Sequence, residues 1–244
     1  MLNLDLMSRK LFIHIPKNAG MTVRRNPHIR SKILWSEQQN LPRAYMEQVT
    51  KKMNETKDHP GYEHARWRDV NPDFQILDAF AFVRNPWDRV ASRYNFARKV
   101  IYFEKNSDHY GKTEYSNCNS FEEFLDERWK WKDQPYMWHR AVRNWYPAYD
   151  HVCDSNGRVR CDILRTEHFD EDLGNYLGIP GFHFEERNVT AIKKFGGDQE
   201  VQDYRDIYTD ETIQIVADWY QRDIETWGFD FDTGAQKNYW RMNR

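Results

Sequence analysis

Apolar positions along the chain fall into short unbroken runs and longer stretches with helical spacing. Leu11 to Ile15 reads as a short buried strand, and Gln75 to Val83, ending in Ala79-Phe80-Ala81-Phe82-Val83, reads as a central strand. Tyr149 to Cys153 and Arg158 to Thr166 read as further strands on either side of the turn signal Asn156-Gly157. Pro42 to about Lys57 predicts a helix with proline in its first turn. Asn85-Pro86 supplies an N-cap and a proline at the first helical position, opening a helix to about Glu104. Ser120-Phe121-Glu122-Glu123 is a capping box that opens another helix through about Lys132. Asp170 to Leu177 predicts a short helix stopped by Gly178 and Pro180. Thr209 to Trp227 predicts a long amphipathic one, with Ile213, Val216, Tyr220 and Ile224 at helical spacing and Gly228 at its end. Strands alternating with helices predict an α/β fold, a parallel sheet covered on both faces. No repeat, low-complexity tract or long linker interrupts the pattern, so residues 1–244 read as a single domain.

Composition narrows the function classes. The 36 Lys and Arg against 38 Asp and Glu leave a net charge of -2, which argues against a bulk nucleic-acid binder. Aromatic residues reach 16%, so large side chains build the core and leave some over for a binding surface. The longest clean apolar run, Ala79 to Val83, falls far short of the ~20 residues that cross a bilayer, and no membrane association is expected. Met1 to Lys10 carries Asp5 and no apolar stretch, unlike a signal peptide. Three cysteines without a C-x-x-C pair predict a reduced, cytoplasmic setting. Cys153 and Cys161 read as buried free thiols, with a cross-link over the Ser-Asn-Gly turn as the alternative.

Candidate chemistry sits at two strand-to-helix junctions. In the first, the strand runs into Pro16-Lys17-Asn18-Ala19-Gly20-Met21-Thr22 and opens a helix that Pro27 cuts short. A small-residue turn into a helix start exposes several backbone N–H groups at the positive end of the helix dipole, a place for phosphate or sulfate. Lys17 adds a point charge and Thr22 a hydroxyl. The loop is not a Walker A sequence, in which lysine follows a glycine at the loop's end and precedes a magnesium-binding hydroxyl. In the second junction, Arg84 stands where the central strand ends, with Ser92 eight positions on in the following helix. A guanidinium there can hold a phosphate through two N–H groups. Asp88, Arg89 and Arg93 read as the solvated face of that helix.

These residues resemble a known family. His14-Ile15-Pro16-Lys17-Asn18-Ala19-Gly20-Met21-Thr22 is similar to the phosphosulfate loop of the sulfotransferases, usual form H-I-P-K-T-G-G-T-S. It lies nearest the carbohydrate branch that includes the heparan sulfate 2-O type. Arg84-Asn85-Pro86 through Ser92-Arg93-Tyr94 resembles that family's 3'-phosphate motif. Gly61 to His64, Ile163 to Glu167, Arg187 to Thr190 and Tyr220 to Phe229 follow in the family's order. The resemblance implies a P-loop-like three-layer fold, a central parallel sheet flanked by helices. It also implies sulfuryl transfer from 3'-phosphoadenosine 5'-phosphosulfate (PAPS) to a hydroxyl, without a metal. Lys17 and the amides of Asn18, Ala19, Gly20, Met21 and Thr22 would hold the 5'-phosphosulfate, and Arg84 and Ser92 the 3'-phosphate. Lys193 and Lys194 sit where a late basic loop closes over the nucleotide, and as plain sequence are equally a solvated pair. Asn18, Ala19 and Met21 depart from the family's Thr, Gly and Thr, which removes side-chain donors but no backbone ones.

The reaction needs a base, and His64 is the candidate. It follows the turn signal Pro60-Gly61, and the resemblance puts the family's base at a matching position; Glu63 is the alternative. Lys17 suits the departing phosphate. His14 reads as a packed residue of the first strand. Trp129, Trp131, Tyr136, Trp138, Trp145 and Tyr146 are interleaved with Arg128, Lys130, Lys132, Arg140 and Arg143. The segment reads either as an aromatic core with a basic face or as a surface for a glycan acceptor. A nucleotide-dependent P-loop kinase and a non-catalytic nucleotide- or glycan-binding protein are the competing functions.

Overall fold

The computed structural model describes residues 4–36, 40–55, 61–104, 120–132, 134–135, 145–184 and 203–237. Four strands, β1 (Lys10–Phe12), β2 (Ile33–Trp35), β3 (Ala79–Val83) and β4 (Asp162–Arg165), form a parallel sheet in the order β2-β1-β3-β4. Leu11 aligns with Leu34 on one side and Ala79 on the other, and Phe82 aligns with Leu164. The period-2 alternation of the strands divides the core between two faces. Phe12, Phe80, Phe82 and Leu164 pack with Val23 of α2 (Gly20–Arg25) and Leu173 of α7 (Phe169–Tyr176). Leu11, Ile13, Ala79, Ala81, Val83 and Ile163 pack on the other face. There they meet α3 (Arg43–Glu55), α4 (Pro86–Glu104), α5 (Phe121–Trp131), α8 (Asp210–Trp219) and α9 (Gln221–Trp227). The result is the expected three-layer α/β fold. Two short helices complete it, α1 (Leu4–Met7) and α6 (Ala148–Val152). Among the described residues no helix is long and apolar enough to cross a membrane.

Several elements differ from the sequence expectation. Sheet pairing in the second apolar run begins at Ala79 rather than Gln75, because the Asn71 side chain accepts the Asp73 N–H and backbone turns from Asn71, Pro72 and Phe74 carry the chain through Leu77. Tyr149 to Cys153 is not a strand. Asp223 of α9 accepts the N–H groups of Ala148 (2.7 Å) and Tyr149 (2.9 Å), capping α6 from a distant part of the chain. Of the Arg158 to Thr166 run only β4 is strand; a single antiparallel bridge joins Cys153 to Val159, and Thr166–His168 is a 3-10 turn. Cys153 and Cys161 are buried free thiols. The long C-terminal helix breaks at Tyr220 (φ -110°, ψ 22°), whose buried ring directs its hydroxyl to Arg93.

Candidate functional site

The first junction is a loop of strained backbone held from below. β1 stops at Phe12, the chain runs buried through Ile15, and Lys17 (φ 67°) and Ala19 (φ 55°) both adopt the left-handed conformation. Outside glycine that region costs about 1–2 kcal/mol per residue, so the loop persists because its neighbours fix it. Asn18 is buried and donates from Nδ2 to the Phe82 carbonyl at 2.7 Å, fastening the turn to the end of β3. Its backbone N–H donates to Ile15, and those of Thr22 and Val23 donate to Ala19 as α2 begins. The N–H groups of Ala19, Gly20 and Met21 find no acceptor among the described residues. They are three consecutive donors at a helix start, the arrangement that holds a phosphate or sulfate. Of the five amides that the sequence points to, these three are open; Asn18 and Thr22 spend theirs on the turn.

His14 links this loop to the candidate base. Its ring lies against Gly20 so closely that a Cβ there would fall 1.7 Å from His14 Nε2, so glycine is the only residue the contact admits. Its carbonyl takes a hydrogen bond from His64 Nδ1 at 3.0 Å. A carbonyl can only accept, so Nδ1 carries a proton, and in the neutral ring that makes this bond the lone pair belongs to Nε2. The two rings are 4.3 Å apart, and His64 is half-buried in the 3-10 turn Tyr62–His64. Burial, the neighbouring His64 and the cations Arg24 and Lys17 hold His14 well below the ordinary histidine range. Buried His151, its Nδ1 on the Pro147 carbonyl, is held down by burial and by Arg89.

The second junction is built from side chains. Arg84 grips Asp88 through Nε (2.6 Å) and Nη2 (2.7 Å) and donates from Nη1 to the Lys17 carbonyl at 3.1 Å, tying the two junctions together. Two of its five N–H groups are left for a ligand. Asp88, Ser92 and Phe96 recur at i+4 along α4, and Lys17 Nζ lies 4.7 Å from the Phe96 ring centre. Half-buried Ser92 therefore stands on the helix stripe between Arg84's partner and the ring under Lys17. Asn85 caps α4 by accepting the Trp87 N–H, donates to the carbonyls of Asp230 and Thr233, and gives its own N–H to Glu167 at 2.8 Å. Burial pushes the Glu167 carboxyl up.

Lys17, Gly20, His14, His64, Arg84 and Ser92 thus come to the edge of the sheet where β1 and β3 end. Lys193 and Lys194 lie outside the described residues. Arg89 and Arg93, expected on a solvated face, are instead fully buried at 1% and 0% exposure. Arg89 donates to the carbonyls of Pro16 (3.2 Å) and Tyr146 (3.0 Å). Arg93 lies 4.0 Å from the Trp145 ring centre, and burial lowers it to about 10. Their i,i+4 charge spacing imitates a surface face, and only the remote partners distinguish it. Among the described residues no group of three or more His, Cys, Asp or Glu side chains is placed to share a metal ion.

No curated protein and no solved structure matches the chain. The model of the sulfotransferase family matches residues 9–230, from the start of β1 through both junctions to the segment that staples Asn85. With that span and the α/β architecture, the chain belongs to the sulfotransferase family.

Proposed function

We propose that the protein transfers a sulfuryl group from PAPS to the hydroxyl of a carbohydrate, in the manner of the heparan sulfate 2-O branch. The observation that carries this reading is His14, whose ring packs under the open-amide loop and whose carbonyl holds His64 in the tautomer of a base. One residue sets both halves of the chemistry. The loop also fits the donor in charge, with three open N–H groups beside Lys17 and two spare N–H groups on Arg84.

PAPS supplies an activated sulfuryl group on a phosphate leaving group. The amides of Ala19, Gly20 and Met21 and the Lys17 ammonium bind its 5' end; Arg84 and Ser92 bind the 3'-phosphate. His64 Nε2 takes the acceptor's proton as the oxygen attacks sulfur, and Lys17 stabilises the charge that returns to the phosphate. For the acceptor, a saccharide is favoured by Trp129, 58% exposed, with the exposed Lys132 ammonium 5.3 Å from its ring centre. Such a face stacks on a sugar while the lysine meets an acidic group on it.

Single-turnover transfer from labelled PAPS tests the roles. His64→Ala is expected to lower the rate about 10²–10⁴-fold. Lys17→Ala is expected to cost on the order of 3 kcal/mol of barrier, about 10²-fold. Wild-type rates in His64→Ala would remove it as the base.

A further inference from the structure

Arg89 is a buried guanidinium that makes no ion pair among the described residues. A buried charge without a partner is costly and is retained where something else is gained from it. Two carboxylates reach it only through their fields: Asp223, which accepts the Ala148 and Tyr149 N–H groups instead, and Asp150. The neighbouring charged side chain on its own helix, Arg93, is another cation and repels it. His151, which also faces it, is held well below the ordinary histidine range by burial and by Arg89 itself. One of its nitrogens, Nη2, has no hydrogen-bond partner among the described residues.

What Arg89 does hold is backbone. Its Nε takes the Pro16 carbonyl while Arg84, five residues earlier on the same junction, takes the Lys17 carbonyl. The C=O and N–H of one peptide unit point in opposite directions. Two successive peptide planes are therefore locked with their oxygens turned toward α4, and the loop enters its left-handed turn at Lys17 in one fixed orientation. The carbonyl oxygens of Pro16 and Lys17 are kept from an incoming anion, and the turn entered from these two fixed planes carries the open donors of Ala19, Gly20 and Met21. The bond to Tyr146 ties the same guanidinium to the segment before α6, so the loop is braced against the body of the fold.

We propose that Arg89 is the positioning residue of the 5'-phosphosulfate loop: it fixes the Pro16 peptide and sets a buried positive charge against the base of the loop. The proposal rests on the PAPS reading above and concerns only the 5' end of the nucleotide. Arg84 serves both ends, through the Lys17 carbonyl and its spare N–H groups, whereas Arg89 serves one.

The test is equilibrium binding of two nucleotides, 3'-phosphoadenosine 5'-phosphate and adenosine 3'-monophosphate, which differ only in the 5'-phosphate. Arg89→Met, which removes both charge and hydrogen bonds, is expected to weaken the bisphosphate about 10- to 100-fold and leave the monophosphate within about twofold. Arg89→Lys keeps the charge but cannot span both carbonyls, and is expected to lose about 10-fold for the bisphosphate alone. If Arg89→Met fails to fold, the lysine variant decides by the same ratio. Equal losses for both nucleotides, or none for either, would overturn the proposal, because a merely structural role does not select the 5' end. A wild type without preference for the bisphosphate would overturn the PAPS reading itself, whereas a wild-type preference that survives in both variants overturns the Arg89 role alone.

Discussion

On the proposed reading the two junctions meet one need, donors for an anion at the end of a buried strand, by different means. At β1 the donors are backbone N–H groups on a strained turn, and the side chains of Asn18, Ala19 and Met21 contribute no donor to the open face. At β3 the donors are side chains, Arg84 and Ser92, set by a helix whose cap, Asn85, is stapled to the C-terminal segment. The first design tolerates changes of side chain that leave the backbone path alone. That is why three departures from the family's loop sequence coexist with an intact row of donors. The second tolerates backbone variation elsewhere but depends on the identity of one arginine.

The sharpest way to break the first design is to alter its path. Gly20→Ala puts a Cβ 1.7 Å from His14 Nε2, and His14 is buried with nowhere to swing. Overpacking of this kind costs about 1–3 kcal/mol. The shift also reaches the carbonyl that sets His64, so loss of single-turnover activity should exceed what the drop in denaturant midpoint explains. An active, normally stable Gly20→Ala protein would show that the loop does not rest on His14. The matching change in the second design is Arg84→Ala. Removing charge-assisted bonds to a phosphate should weaken 3'-phosphoadenosine 5'-phosphate about 10- to 100-fold. The loss should be larger than for adenosine 5'-phosphate, which lacks the 3' group; equal losses would mean that Arg84 acts only through the Lys17 carbonyl.

The two junctions were legible in the sequence to different depths, for a physical reason. The end of the central strand at Val83, the short helix before Pro27 and the Asn85-Pro86 start are local signals, and the structure places them where the pattern does, whereas the first strand stops at Phe12 rather than Ile15. Lys17, Arg84 and Ser92 follow from those boundaries. Arg89 did not, because its partners at Pro16 and Tyr146 lie 73 and 57 residues away and its i,i+4 neighbours suggest a surface. The same distance hid α6. Tyr149 to Cys153 has strand-like composition, and it is helical because Asp223, 74 residues from Tyr149, supplies its N-terminal acceptor. His14 reads correctly as packed, yet its carbonyl's hold on His64 spans 50 residues. What the sequence conceals here is consistently a side chain serving remote backbone.

The smallest expected effect separates backbone path from side chain most cleanly. Ala19 sits at φ 55° where the family's loop form has glycine. A Cβ in the left-handed region is disfavoured, and glycine is not, although glycine also gains entropy in the unfolded chain. Ala19→Gly should therefore stabilise the protein modestly, by about 1 kcal/mol or less, seen as a higher denaturant midpoint at unchanged m-value. Because the N–H groups keep their directions, affinity for 3'-phosphoadenosine 5'-phosphate should stay within about twofold of wild type, a change of less than about 0.5 kcal/mol. A gain in stability with unchanged affinity would establish that the strain at Ala19 is a cost the loop merely carries. A gain in stability with a fall in affinity would instead make the alanine part of the binding device, since only a stiffened left-handed residue, and not the path itself, would have been lost.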